Sequence, residues 1–229
     1  MSGVPALAQV PAGAALVADD QNGALVVIDV QRSFGDPDFI REFGLTDEAM
    51  KAVSAAIDTM QELVSTARGL GIPVVWVELA SDPTQPWQTS NWLAGNPMDA
   101  PLDATYPCVE GTVGAEWFRV APEPGEIVVK KRRYSGFHGT DLENELRHAG
   151  ITWLVMAGLT TECCVATTAL DAFQTGFPVV VASDATAAYD LPVHTAALRQ
   201  LSDNAALIST TSDIVELWHT TTAARKVAS

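Results

Sequence analysis

Short apolar runs rich in β-branched residues, alternating with helical segments, constrain this chain more than any other feature. The runs are Ala24–Val30, Ile72–Val77, Glu126–Lys130, Ile151–Ala157, Phe177–Ala182 and Ala206–Ile208. Their near-continuous hydrophobicity reads as strands buried on both faces. Between them, Thr46 can cap a helix with Asp47 and Glu48 in its first turn, and apolar residues recur at helical spacing from Met50 to Ala67 until Gly69 and Gly71 end it. Further helices are expected over Thr140–His148 (capped by Thr140 or Asp141), Thr161–Gln174, Pro192–Ser202 and from about Ser212. Strands alternating with helices pair in parallel through right-handed crossovers. The expected fold is therefore α/β: three α/β/α layers around an open, mostly parallel, Rossmann-like sheet of about six strands. No repeat or linker interrupts it, so 21–229 reads as one domain. Residues 1–20, rich in Ala, Val and Pro and without the basic start of a secretory signal, read as an N-terminal arm.

Between Ala80 and Pro124 the periodicity fails. Pro83, Pro86, Pro97, Pro101, Pro107, Pro122 and Pro124 punctuate this stretch, and Trp87, Trp92 and Trp117 lie within it. A long irregular loop inside a compact domain points to function.

Charge excludes some partners. With 13 basic against 28 acidic side chains, the formal charge is −15. Nucleic acids and anionic membranes both require positive surface, so neither is an expected partner. The basic run Lys130–Arg133 is too short to change this. Three cysteines, two of them adjacent, do not form a disulfide framework, which fits a cytoplasmic setting. The first strand leads into Asp-Val-Gln-Arg-Ser-Phe with no glycine-rich turn, which speaks against dinucleotide binding.

In an open α/β sheet, ligands bind beyond the carboxyl ends of the strands, where the strand order reverses. That rule singles out Asp29 at the end of the first strand, Lys131 after the third, and Cys164 just after the fourth. Each residue type also has an ordinary structural role. A cysteine in such a core is commonly a small hydrophobe, a strand-end aspartate a cap, and a lysine in a basic run a solvated charge. Those roles do not account for all three falling on one sheet edge. Cys163, one position away, is expected to pack as a hydrophobe. A helix N-terminus and a nearby ammonium would both favour the Cys164 thiolate, and unpaired N–H groups there would steady an oxyanion. Asp29 would accept the thiol proton.

These residues lie in four blocks: Val27–Phe34 (VIDVQRSF), Pro107–Glu116 (PCVEGTVGAE), Lys131–Phe137 (KRRYSGF) and Gly158–Ala172 (GLTTECCVATTALDA). In order and spacing, over roughly residues 22 to 218, the chain resembles the isochorismatase-like cysteine hydrolases, which include nicotinamidases, N-carbamoylsarcosine amidase and ureidoacrylate amidase. The resemblance implies a hydrolase that cuts a C–N bond of a small amide, N-carbamoyl compound or ureide through a thioester. It puts the catalytic triad on Asp29, Lys131 and Cys164, preferring Lys131 to Lys130 and Cys164 to Cys163. It also implies a cis peptide at Leu159–Thr160 and an oxyanion hole from the N–H groups of Thr160 and Cys164. The stretch matching the nicotinamidase metal ligands, Val77–Pro83, has no histidine, so no metal and no cofactor are expected. Isochorismatase-type vinyl ether cleavage, which does not need the cysteine, and a catalytically silent binding homologue are the alternatives.

Gln31, Phe34, Glu78, Trp92, Tyr134 and Phe137 are the candidate substrate contacts, with Trp76 and Trp87 as further members of an aromatic wall. The expected partner is a small-molecule substrate. The Trp-rich loop also suggests a homo-oligomer, dimer or tetramer.

Overall fold

The computed structural model describes residues 22–228, without the side chains of 223–228; the expected N-terminal arm, 1–20, lies outside the described residues. Six strands form one sheet: β1 (Gly23–Ile28), β2 (Val74–Leu79), β3 (Ile127–Lys131), β4 (Trp153–Leu159), β5 (Val179–Ala187) and β6 (Leu207–Ser209). Their order is β3-β2-β1-β4-β5-β6, and every neighbouring pair is parallel. Chain order reverses between β1 and β4, so a crevice opens beyond their carboxyl ends.

Five longer helices cover the two faces: α1 (Asp47–Leu70), α2 (Leu142–His148), α3 (Ala166–Gln174), α4 (Leu191–Asn204) and α5 (Thr211–Ala228). Alternate strand residues point to opposite sides. Leu25, Val27, Trp76 and Val155 pack with Val53, Ile57, Met60 and Leu63 of α1 and with Ile214 and Trp218 of α5. Val26, Ile28, Val77, Leu154 and Met156 pack on the other side with Leu146 of α2, Ala169 of α3 and Leu201 of α4. Among the described residues, no helix is long and apolar enough to cross a membrane.

Helix α1 shows how locally its ends are encoded. Thr46 accepts a hydrogen bond from the Ala49 N–H through its side chain, and Gly71 closes the helix in a left-handed conformation. Gly69 sits inside the helix, so Gly71 alone stops it. The expected cap of α2 is less regular: Asp141 makes no side-chain cap bond, and the Leu142 N–H reaches Thr140 Oγ1 instead.

The irregular stretch after β2 contains only short 3₁₀ turns, at Pro86–Gln88, Asn91–Ala94 and Val113–Ala115. It is tied back to the sheet edge by backbone bonds between Ser81 and Cys108 and between Glu110 and Ser81. Arg133 donates to the carbonyls of Thr89 and Trp87, and Arg132 to that of Ala80 and to Glu110. The basic run thus staples the loop. At the opposite end of the strands, Glu126 accepts from Trp76 Nε1 at 2.6 Å and from Arg68 of α1, linking helix, strand and loop.

β1 and β4 approach closely at Gly158, which pairs with Ile28. A Cβ built there would lie 2.1 Å from the Ile28 carbonyl oxygen, and its φ of +137° is unfavourable for other residues. Gly158→Ala is therefore expected to destabilise the fold by roughly 2–4 kcal/mol, from backbone strain and overpacking together. Urea denaturation checks this; an unchanged midpoint would show that β1 and β4 can separate without loss.

Candidate active site

Three chain segments deliver polar side chains to the crevice at the β1–β4 switch point. Asp29 follows β1 directly, its N–H donating to the Val77 carbonyl at 2.8 Å. Its φ of 52° lies in the left-handed region, which aspartate tolerates better than most residues. That conformation ends the strand at Ile28 rather than at Val30. Lys131 is the last residue of β3, two strands from β1, about 10 Å away at ordinary strand spacing. Only a long side chain spans that gap.

Cys164 lies in a π-helical turn, Thr161–Val165, that precedes α3. The N–H groups of Cys163 and Val165 both turn back to the Thr160 carbonyl, each at 3.2 Å. Beyond the turn, Thr168 Oγ1 donates to the Cys164 carbonyl at 2.6 Å and accepts from the Gly136 N–H. The Leu159–Thr160 peptide is cis.

Lys131 Nζ sits 2.7 Å from Asp29 Oδ2 and 3.3 Å from Cys164 Sγ, and donates to the Arg133 carbonyl at 3.0 Å. Asp29 and Lys131 have no exposed surface and Cys164 retains 5 %, so an incoming molecule meets sulfur first. The contact with the Lys131 ammonium is the close charged contact of the Asp29 carboxylate.

The electrostatics follow from burial. Removal from water raises the Asp29 carboxyl above its ordinary range, although Lys131 and Cys164 oppose the shift. Burial alone would lower the Lys131 ammonium, but Asp29 and Cys164 outweigh it and hold it above the ordinary lysine value. The Cys164 thiol is held well above its usual range by a hydrogen bond shared with Cys163, by burial and by the Asp29 carboxylate, against the pull of Lys131. Here the sequence expectation needs correction. A helix-end thiol near an ammonium should ionise easily, but here the neighbouring Cys163, burial and the Asp29 carboxylate raise it against the pull of Lys131. Cys163 is a half-buried free thiol packed against the core.

The expected substrate contacts fare unevenly. Gln31 is fully buried, donating to the carbonyls of Leu79 and Ala115 at 2.9 Å and accepting from the Leu79 N–H. It is a cross-link between β1, β2 and the loop, with no polar group left for a ligand. Phe34 packs against the α1 side of the core, and Phe137 against the other side beside Phe177, ring centres 6.1 Å apart. Trp76 is fully buried core, while Trp87 is exposed. Glu78 is held by Lys130 at 3.5 Å, and its carboxyl is raised by burial. Trp92 and Tyr134 do share a surface: with Tyr106, Gln88 and Arg133 they line a cavity of about 120 Å³.

Ser33 and Cys108 were not among the expected residues. Ser33 Oγ accepts from the Cys108 N–H at 3.0 Å, and the Cys108 thiol is fully buried, which raises it. Nothing in local spacing announces a contact between residues so far apart. Among the described residues, no group of three or more His, Cys, Asp or Glu side chains is placed to hold a metal ion.

A family model described as the isochorismatase domain matches residues 23–213. A ureidoacrylate amidohydrolase, RutB, of Methylobacterium radiotolerans is 34% identical over 182 residues, which cover 71% of this chain and 66% of that protein, just under two thirds. A probable inactive nicotinamidase of Arabidopsis thaliana is 33% identical over 183 residues, 77% of this chain and 86% of that protein. The crystal structure of N-carbamoylsarcosine amidase from Thermoplasma acidophilum superimposes with a TM-score of 0.63 at 28% identity, covering 83% of this chain and 97% of that one.

The buried pair gives a pH signature. Lys131→Met leaves the Asp29 carboxylate without a cation, and breaking a buried pair from one side typically costs about 3–5 kcal/mol. Because burial raises the Asp29 carboxyl, its proton is held more tightly in the folded chain than in the unfolded one. Stability from this group is present in acid and lost as pH rises through the folded value. Lys131 contributes equally on both sides of neutrality, since its own loss of charge comes only above the ordinary lysine range. Denaturation of Lys131→Met should therefore show a deficit that shrinks in acid and grows as pH rises above the ordinary carboxylate range. A deficit that does not change with pH would mean the carboxyl does not take up a proton.

Proposed function

The chain belongs to the isochorismatase family, and from that premise we propose that it hydrolyses a C–N bond of a small amide, N-carbamoyl compound or ureide, with Cys164 as nucleophile. The observation that carries this reading is the ammonium of Lys131 lying 2.7 Å from the Asp29 carboxylate and 3.3 Å from the Cys164 sulfur.

Each step uses one of these groups. Asp29, whose burial raises its affinity for a proton, takes the proton of the Cys164 thiol. Lys131 remains charged and stabilises the thiolate as it forms. Sulfur attacks the carbonyl carbon, and the N–H groups of Thr160 and Cys164 receive the oxyanion. Collapse of the tetrahedral adduct breaks the C–N bond, and the amine leaves with the proton held by Asp29. A water molecule then gives a proton to Asp29 and attacks the thioester. The carboxylic acid departs and the proton returns to sulfur, so the cycle closes with no net change in the protein.

Two relatives support this substrate class. One is named for ureidoacrylate and another for N-carbamoylsarcosine, both with a nitrogen next to a carbonyl carbon. The relative described as a probable inactive nicotinamidase supports a second reading, a protein that binds such molecules without turning them over.

A screen for ammonia or amine release over small amides, N-carbamoyl compounds, ureides and lactams tests the proposal. Turnover is expected on at least one class, with Cys164→Ala slower by roughly three orders of magnitude or more. If that variant matched the wild type on a confirmed substrate, covalent catalysis by sulfur would be wrong. Binding without release across the panel would favour the silent reading.

A further inference from the structure

The turn that carries Cys164 is not held by its own cap. Thr160 stands at its N-cap position but makes no side-chain cap bond, its hydroxyl donating instead to Glu162 at 2.9 Å. Support comes from outside. Thr161, the first residue of the turn and fully buried, places its hydroxyl 2.9 Å from Thr186 Oγ1 of β5 and 2.8 Å from His194 Nδ1 of α4. His194 lies in the first turn of α4, which packs on the Cys164 turn, and it lines a cavity of about 540 Å³ with Thr186, Tyr189 and Asp190. We propose that His194 is a positioning residue for the nucleophile: its ring nitrogen, through the Thr161 hydroxyl, fixes the turn so that the Cys164 sulfur stays against Lys131.

Three features support this. The hydroxyl is buried between two polar partners, and loss of either leaves a polar atom unsatisfied next to the nucleophile turn. Burial keeps the imidazole neutral at neutral pH, so Nδ1 can accept the Thr161 proton while Thr161 accepts from Thr186. The far side of the turn is already clamped by Thr167 and Thr168, whose hydroxyls hold the carbonyls of Cys163 and Cys164. The Thr161–His194 bond supplies the matching clamp at its start.

The inference takes Cys164 as the reacting group but does not need a known substrate, because iodoacetamide reads the sulfur directly. The rate of Cys164 alkylation near neutral pH, followed by peptide mass, is measured in His194→Leu, Thr161→Val and the double variant. Each single change is expected to alter the rate by about tenfold, and the double variant by no more than either single, as for two groups acting through one bond. His194→Asn puts an amide oxygen near the place of Nδ1, and Thr161→Ser keeps the hydroxyl; both should stay within about twofold of the wild type. Single effects that multiply in the double variant would overturn the proposal, as would a failure of His194→Asn equal to that of His194→Leu. A negative amide screen would leave this result standing, so the two failures can be told apart.

Discussion

The ion pair between Asp29 and Lys131 is the constraint around which the rest of this structure is arranged. Two charges without exposed surface are tolerated only when each satisfies the other closely, and here the contact is 2.7 Å. Holding it requires a strand-end backbone turned into the left-handed region on one side and a lysine reaching past β2 on the other. The thiol of Cys164 adds a third group within reach of the same ammonium. Burial raises the carboxyl, while Cys163 and burial raise the thiol, against the pull of the Lys131 ammonium on both.

The surrounding polar groups serve that arrangement. Gln31 fastens the segment after Asp29 to β2 and to the loop. Arg132 and Arg133, beside Lys131, pin the loop over the same edge through backbone carbonyls. Thr168 bonds the Cys164 carbonyl, and Thr161, at the start of the same turn, bonds His194. Most of these bonds end on main-chain atoms, so they fix backbone position and leave the Asp29, Lys131 and Cys164 side chains to one another.

Much of this was legible beforehand, for local reasons. β-branched runs marked all six strands, and Thr46 and Gly71 marked the ends of α1 to within a residue. The topological rule for open sheets brought Asp29, Lys131 and Cys164 to one edge before any distance was known. What escaped depends on contacts distant in sequence. Gln31 looks like a pocket residue because a glutamine after a strand-end aspartate carries no sign that Leu79 and Ala115 will surround it. Phe137, an aromatic beside Tyr134, reads as a pocket residue but packs with Phe177 in the core. β5 runs on to Ala187, past the expected end at Ala182, through Ser183 and Asp184, polar residues whose side chains bond to the Ser209 carbonyl and to Thr211. The direction of the Cys164 shift also depends on burial, which the helix-end argument left out.

The central claim is that sulfur forms a bond to the substrate inside this pair. Samples quenched in acid within the first turnover, digested and weighed peptide by peptide, address it directly. The account predicts an added acyl fragment on the peptide that carries Cys164, at the sulfur of Cys164 and not of Cys163, with Cys108 unmodified. Amine released in that same turnover while every cysteine keeps its native mass at all quench times would contradict it.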